Sequence, residues 1–162
     1  MRGRFYIRSA ALDDACGILD CLRIAFEPFR TRYSKGAYRD TILTAETVHE
    51  RLSAMQVYVA VTDTNEVVGT IAYSVVHEKG GHLRGMAVHP DWQGSGVAGE
   101  LLKAAEQTLA ERGCSFITLD TTEPLERAVR FYQKNGFQPT GKVTDFFGMP
   151  LYEYAKQITA EL

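Results

Sequence analysis

The feature that most constrains the fold is a glycine-rich segment, HPDWQGSGVAGELL at residues 89–102, which leads into an amphipathic helix. Backbone N–H groups at a helix N-terminus point outward, the helix dipole favours an anion there, and glycines let a ligand approach closely. The segment therefore predicts a phosphate-binding site rather than a tight turn alone. Apolar residues at helical spacing support the helix, at Val97, Leu101, Leu102, Ala105 and Leu109.

The same letters fit two different phosphate-binding loops. Gly94, Gly96 and Gly99 form the G-x-G-x-x-G of dinucleotide-binding proteins, and Asp120, 21 residues further on, has the position of a ribose-binding acid. Shifted by one residue, the segment reads Q-x-x-G-x-A, the pattern of a loop that holds acetyl-coenzyme A. Residues 89–93 separate the preceding strand from the glycines, hairpins flank the unit, and little chain follows Asp120. These features disfavour the dinucleotide interpretation.

Hydrophobic periodicity predicts the order β-α-α-β-β-β-α-β-α-β-β, with a looser stretch between residues 27 and 43. Turn signals at 63–66 and 78–81 make the three central strands (57–62, 67–76 and 82–88) antiparallel. The strand–helix–strand unit over 82–120 is a crossover and should be parallel and right-handed. The expected fold class is α/β, of the mixed α+β type, with a mostly antiparallel sheet flanked by helices in one domain over residues 1–162.

Composition limits the classes of partner. Hydrophobic residues make up 45% and charged residues 23% of 162 residues, which is typical of one globular domain. A net charge of −2 gives no electrostatic basis for binding nucleic acid or a membrane surface. The apolar runs are too short for a signal peptide or a membrane span, and Cys16, Cys21 and Cys114 are expected to be reduced thiols. We therefore expect a cytoplasmic protein, and no ligand spacing predicts a metal.

The segments GMAVHPDWQGSGVAGELL and FYQKNGF, in that order, resemble the GNAT superfamily of acyl-CoA-dependent N-acetyltransferases. The resemblance is strong over residues 57–157 and only architectural before them. It implies the GNAT fold, in which the parallel strand pair splays apart around the thioester. It also implies acetyl-CoA as the acyl donor, and as acceptor a primary amine of a small molecule or peptide that attacks directly in a ternary complex. Family members are often monomers or homodimers.

The resemblance also implies a set of coenzyme contacts. The exposed backbone of Met86, Ala87 and Val88 would pair with the pantetheine arm, and an N–H group there would polarise the thioester carbonyl. Many relatives carry an asparagine where this chain has Leu125, so a neighbour such as Arg127 is expected to replace that contact. The backbone of the glycine loop would hold the coenzyme phosphates, through Gln93, Gly94, Ser95, Gly96, Val97, Ala98 and Gly99.

Tyr132 matches the family's usual general acid. It recurs with Leu125, Ala128 and Val129 on one helix face, which directs the phenol towards the sheet. There it can protonate or hydrogen-bond a departing thiolate. The alternative is a core tyrosine with a satisfied hydroxyl.

Two residues are candidates for the general base. The ordinary pKa of a histidine side chain suits a general base. His82 shares strand parity with Met86 and Val88 unless a bulge at Gly85 shifts the register. Glu78, in the preceding turn, is the second candidate. The alternative for His82 is a surface residue at the start of a strand.

In this family the first helical region and the final hairpin line the acceptor groove. Here the first region reads FEPFRTRYSKGAYR at 26–39, either a partly packed loop or a lid that contacts an acceptor carboxylate or the coenzyme. Asp145, Phe146 and Phe147 are candidates for the other wall. Two other functions remain open: a non-catalytic acyl-CoA-binding or interaction module on the same fold, and an NAD(P)-binding oxidoreductase.

Overall fold

A computed structural model describes residues 3–77, 79–122 and 125–158 of the chain. The strands are β1 (Phe5–Ser9), β2 (Gln56–Thr62), β3 (Val67–His77), β4 (Gly80–Val88), β5 (Phe116–Thr121), β6 (Gln138–Phe146) and β7 (Met149–Gln157). The helices are α1 (Ala15–Phe26), α2 (Lys35–Ile42), α3 (Ala45–Ala54), α4 (Val97–Glu111) and α5 (Glu126–Lys134). None of the described helices is both long and apolar enough to cross a membrane.

The strands form one sheet in the order β1-β2-β3-β4-β5-β7-β6. Neighbours are antiparallel except β4 and β5, which run parallel from the pair Gly80–Phe116 to the pair Leu83–Leu119. The predicted mixed fold class and the parallel crossover are therefore confirmed. The parallel pairing ends at Leu83, while β4 continues along β3 to Val88, so the two strands part over the second half of β4.

A β-bulge at Gly85 changes which face of the sheet β4 presents. Thr70 is paired with Ala87 but Ala72 is paired with Arg84, so β4 has one residue more than β3 in this interval. Gly85 itself has φ +64°, a conformation that favours glycine. Side chains therefore change parity, and His82 shares a face with Ala87. The prediction that His82 shares a face with Met86 and Val88 is therefore wrong. The bulge at Gly85, which the sequence left open, shifts the register.

The two faces of the sheet carry separate apolar clusters. Helix α4 packs on one face, where Leu101 and Leu109 are fully buried in a cluster with Leu83. Helices α1 and α3 cover the other face, where Leu22 and Val48 are buried. The side chains of alternate β4 residues therefore point either into the α4 layer or towards the layer formed by α1 and α3.

The stretch predicted to be loose contains helix α2, so that expectation was wrong over residues 35–42. Ser34 caps the helix, because its Oγ accepts a hydrogen bond from the Ala37 N–H at 3.2 Å. The same hydroxyl donates to the carbonyl of Phe147 at 2.8 Å, which ties α2 to the β6–β7 turn. The helix is short and only Ala37 is buried, so its apolar periodicity is weak.

Candidate active site

A cleft of about 700 Å³ opens where β4 and β5 part. Its walls combine the second half of β4, the glycine loop, the end of β5, helix α5 and aromatic residues that follow α1. Most of the predicted site residues line it, namely His82, Met86, Ala87, Val88, Gln93, Gly94, Gly96, Ala98, Gly99, Arg127 and Tyr132.

Two of the described site residues, Ser95 and Val97, are not among those that line the cleft. Ser95 lies in the glycine loop, where its hydroxyl donates a short hydrogen bond to the Trp92 carbonyl. The Val97 side chain is 1% exposed and packs in the α4 cluster, which leaves its backbone as the group near the loop. Glu78 lies outside the described residues.

The glycine loop has the geometry of an open anion-binding turn. Gly94 and Gly96 have φ +79° and +94°, and a Cβ atom added at either of them or at Gly99 would have no neighbour within 4 Å. Gly96 is the N-cap of α4, so the free N–H groups of the first helical turn follow it. Arg127 Nη1 donates to Gln93 Oε1 at 2.8 Å, which brings a positive charge from α5 to the loop. The loop can therefore hold a pyrophosphate on backbone N–H groups beside a guanidinium.

His82 lies in a network that spans the parallel strands. Its Nδ1 is 2.8 Å from Thr118 Oγ1, and its Nε2 is 3.5 Å from Asp120 Oδ2. The Thr118 hydroxyl also reaches the Gly81 carbonyl at 3.5 Å. If that hydroxyl donates to Gly81, it accepts from His82 Nδ1–H, and the lone pair of neutral His82 is then on Nε2.

The pKa values of this pair depend on burial and on each other. Burial lowers the pKa of His82, and the nearby Asp120 carboxylate partly opposes that effect. Burial raises the pKa of Asp120, while His82 opposes that change. Glu153, paired with Asp120 across β5 and β7, adds a second negative charge that also raises the His82 pKa. A neutral imidazole beside a carboxylate is suited to accept a proton.

Tyr132 lies in α5 with its ring packed between two phenylalanines. Its centroid is 5.6 Å from that of Phe131 and 5.7 Å from that of Phe137. Burial raises the pKa of the Tyr132 phenol well above its ordinary value, so the group stays protonated at neutral pH. The ring borders the cleft, so a protonated O–H is available there as a donor.

Thr121, at the end of β5, was not predicted as a site residue. It is 3% exposed, it borders the cleft, and its buried Oγ1 has no hydrogen-bond partner within the described ranges. An unsatisfied buried hydroxyl costs free energy, so such groups call for an explanation. Thr121 is therefore a candidate ligand-binding group. A short polar side chain at the end of an ordinary strand carries no signal that sequence reasoning could have used.

Only part of the predicted acceptor region borders the cleft. Phe26, Phe29 and Tyr33 line it, and the Tyr33 hydroxyl lies 2.9 Å from Thr122 Oγ1. Phe146 and Leu151 of the final hairpin also line it. The basic residues of the predicted lid are not among the lining residues, and neither are Asp145 and Phe147. The aromatic part of the predicted acceptor region thus borders the cleft, whereas Arg30, Arg32, Lys35 and Arg39 do not.

Comparison with known proteins agrees with this architecture. A sequence model of the acetyltransferase (GNAT) family matches residues 18–137. An acetyltransferase of Pectobacterium atrosepticum is 36% identical over 83 residues, which cover 49% of this chain and 58% of that protein. The match thus spans little more than half the length of this curated relative.

Solved structures share the fold over nearly the whole chain. A GNAT-family acetyltransferase from Staphylococcus aureus Mu50 has a TM-score of 0.78 at 20% identity, covering 96% of this chain and 100% of that one. The PaiA N-acetyltransferase from Thermoplasma acidophilum, solved in complex with coenzyme A, has a TM-score of 0.77 at 19% identity, covering 96% and 99%. These structures show a shared fold, and the family match, which spans most of the chain, shows that this chain belongs to the acetyltransferase (GNAT) family.

Proposed function

We propose that the protein is an N-acetyltransferase that transfers the acetyl group of acetyl-CoA to a primary amine of a small molecule or peptide. The observation that carries the proposal is the cleft between β4 and β5, which combines an anion-binding loop, a free strand edge, a protonated phenol and a partly exposed histidine–carboxylate pair. Direct attack by the amine in a ternary complex needs only these groups. Bound acetyl-CoA would supply the acetyl group as a thioester.

Three observations support acetyl-CoA as the donor. The space above Gly94, Gly96 and Gly99 is open, so a pyrophosphate can approach the backbone of the loop. The β5 side of residues 84–88 is free of strand pairing, so the peptide groups there can pair with the pantetheine arm. Thr121 Oγ1 offers a further hydrogen bond to that arm and fills the role for which Leu125 is unsuited.

His82 is proposed as the base that takes the proton from the acceptor ammonium. Its depressed pKa keeps the imidazole neutral near pH 7, and Nε2 is the nitrogen that accepts the proton. The resulting imidazolium then faces Asp120 Oδ2, which stabilises the positive charge. Asp120 is in this proposal a positioning residue for the base.

Tyr132 is proposed as the acid that donates its phenolic proton to the departing sulfur. Its raised pKa keeps that proton in place until the sulfur develops negative charge. An N–H group of the β4 edge at 86–88 would stabilise the negative charge that develops on the thioester oxygen. No covalent enzyme intermediate is required, because neither buried cysteine, Cys21 or Cys114, lines the cleft.

A panel of primary amines tests the proposal. The protein is mixed with acetyl-CoA and each amine, release of free thiol is followed, and acetyl-CoA binding is measured separately by calorimetry. Turnover of at least one amine supports the proposal. Binding without turnover on any amine would favour a non-catalytic acyl-CoA-binding module. A thermal shift with NAD(P) but none with acetyl-CoA would favour the oxidoreductase instead.

A further inference from the structure

Arg51 of helix α3 lies with its guanidinium at the bulge of β4. A Cβ atom added at Gly85 would collide with Arg51 Nη1, so the guanidinium rests directly on the Gly85 backbone. The Arg51 side chain borders the cleft. It also lines a cavity of about 10 Å³ among apolar side chains of α1 and α3, such as Leu22 and Val48. One side of the charged group is thus apolar and the other opens on the cleft.

The guanidinium has no ion-pair or hydrogen-bond partner within residues 3–77, 79–122 and 125–158. The nearby Asp40 carboxylate is instead held by Arg84, whose Nη2 lies 3.3 Å from Asp40 Oδ2. Burial, with Arg84 as a second cause, lowers the pKa of Arg51 to about 10, and the nearby Asp40 carboxylate partly opposes that effect. Arg51 is partly buried, and its guanidinium presents N–H donors in a fixed plane that can bind a ligand in the cleft.

A group with these properties is typical of a binding site for an anion. A carboxylate or phosphate can accept two parallel hydrogen bonds from one guanidinium, which satisfies the donors and the charge together. The glycine loop has its own positive group in Arg127, so the proposed pyrophosphate site does not require Arg51. Gly85 lies between His82 and residues 86–88, at most roughly 10 Å along β4 from His82, so Arg51 borders the cleft between the proposed base and the proposed donor edge.

We propose that Arg51 binds an oxyanion, a carboxylate or a phosphate, on the acceptor, so that the preferred acceptor is an amine that also carries a negative group. This inference rests on the proposed function and narrows its acceptor class. The aromatic residues Phe26, Phe29 and Tyr33 would then contact the carbon skeleton between the amine and the anion.

Matched pairs of amines test the proposal. One member of each pair carries the anion and the other lacks it: ω-amino acids of increasing length against their carboxamides, and phosphoethanolamine against ethanolamine. In at least one pair the anionic member should have a kcat/KM about tenfold higher or more, the usual effect of a charge-assisted hydrogen bond. The carboxylate and phosphate pairs distinguish the two sources of the oxyanion. Preference for the neutral member in every pair would overturn the proposal.

The variant Arg51→Gln shows whether Arg51 causes the preference. We expect the ratio within the pair to fall to about one, through a higher KM for the anionic amine, while the neutral amine changes by less than about twofold. Arg51→Lys, which keeps the charge but not the planar fork, should be intermediate. Arg23→Gln, at a residue of α1 that is 61% exposed, is the matched control and should keep the ratio. An unchanged ratio in Arg51→Gln would contradict the assignment.

Calorimetry separates failure of this inference from failure of the proposed function. If no amine releases thiol, the same pairs are titrated into acetyl-CoA-saturated protein. Binding of an anionic member that is lost in Arg51→Gln supports an oxyanion site even though transfer has failed. Absence of binding by every anionic member overturns the site as well. Circular dichroism and thermal melting confirm that the variant is folded.

Discussion

The imidazole of His82 and the carboxylate of Asp120 face each other across the parallel strands β4 and β5, with Nε2 3.5 Å from Oδ2. Both groups are partly withdrawn from water, so each charge is stabilised mainly by the other. A proton bound by His82 is held beside a negative partner, whereas a proton lost from it leaves a neutral base at the edge of the cleft.

Asp120→Asn should move the acidic limb of the kcat/KM profile to lower pH. The Asp120 carboxylate raises the pKa of His82, so its removal leaves burial to lower that pKa further, and the neutral base persists to lower pH. The plateau rate should also fall, because the imidazolium loses its partner. The measurement is a pH–rate profile from roughly pH 5 to 9. Asp63→Asn, in an exposed turn, is the control, and a limb that moves to higher pH would contradict the assignment.

Tyr132→Phe should lower kcat roughly 10²-fold or more, the usual contribution of a positioned acid. Acetyl-CoA affinity should change by less than about twofold, because ring packing against Phe131 and Phe137 is retained. Steady-state kinetics and calorimetry measure the two effects separately. Tyr6→Phe, at a tyrosine of β1 that is 50% exposed, is the control. If Tyr132→Phe keeps its kcat, the acid lies elsewhere.

Gly99→Ala should stabilise the free protein and weaken its binding of acetyl-CoA. The added Cβ has open space, and alanine within a helix is favoured over glycine by about 0.5–1 kcal/mol. The same methyl group projects over the surface proposed for the pyrophosphate, so affinity should fall about tenfold or more. Thermal melting without ligand and calorimetry with acetyl-CoA give the two values. Ser53→Ala, at an exposed position of α3, should leave acetyl-CoA affinity unchanged. Equal acetyl-CoA affinity in Gly99→Ala and wild type would count against the loop as the phosphate site.

Cys114→Ala should keep its transfer activity. Cys114 is 2% exposed, and burial raises the pKa of its thiol, so little thiolate is present to attack a thioester. Direct attack by the amine needs no enzyme nucleophile. The measurement is steady-state thiol release with a turned-over amine, with Cys16→Ala, at an exposed thiol, as the control. Near-total loss in Cys114→Ala alone, with folding intact, would falsify direct transfer.

Patterns that repeat along the chain made the fold predictable. The hairpin turns, the amphipathic spacing of α4 and the crossover to β5 each depend on local chemistry, and together they define a mixed sheet with one parallel pair. Helix α2 was missed because it buries only Ala37 and depends on the Ser34 cap, whose partner Phe147 lies more than a hundred residues away. Tertiary contact, not local pattern, stabilises that segment.

The sequence predicted the site residues that lie within a recognisable motif, but not those that only the fold brings together. The glycine loop and Tyr132 each belong to a continuous sequence motif, so the motif alone predicted their place in the site. Asp120 was noticed for a different role, since its proximity to His82 depends on the register of two parallel strands. The role of Arg51 was not predictable, because an arginine in an amphipathic helix is usually exposed to solvent. Only the tertiary structure shows that Arg51 borders the cleft.

The extra residue at Gly85 divides β4 into two halves that tolerate substitution differently. Before it, Arg84 presents a cleft-lining side chain that can be exchanged to change which amine is accepted, while His82 is kept as the proposed base. Beyond it, the strand would offer its main chain to the donor, which is insensitive to most substitutions. Deleting Gly85 would restore regular alternation between Arg84, paired with Ala72, and Ala87, paired with Thr70, so residues 86–88 would keep their faces and the strand would lose only the bulge. Substitution of Arg84 should therefore change the choice of amine without disturbing the main chain of residues 86–88.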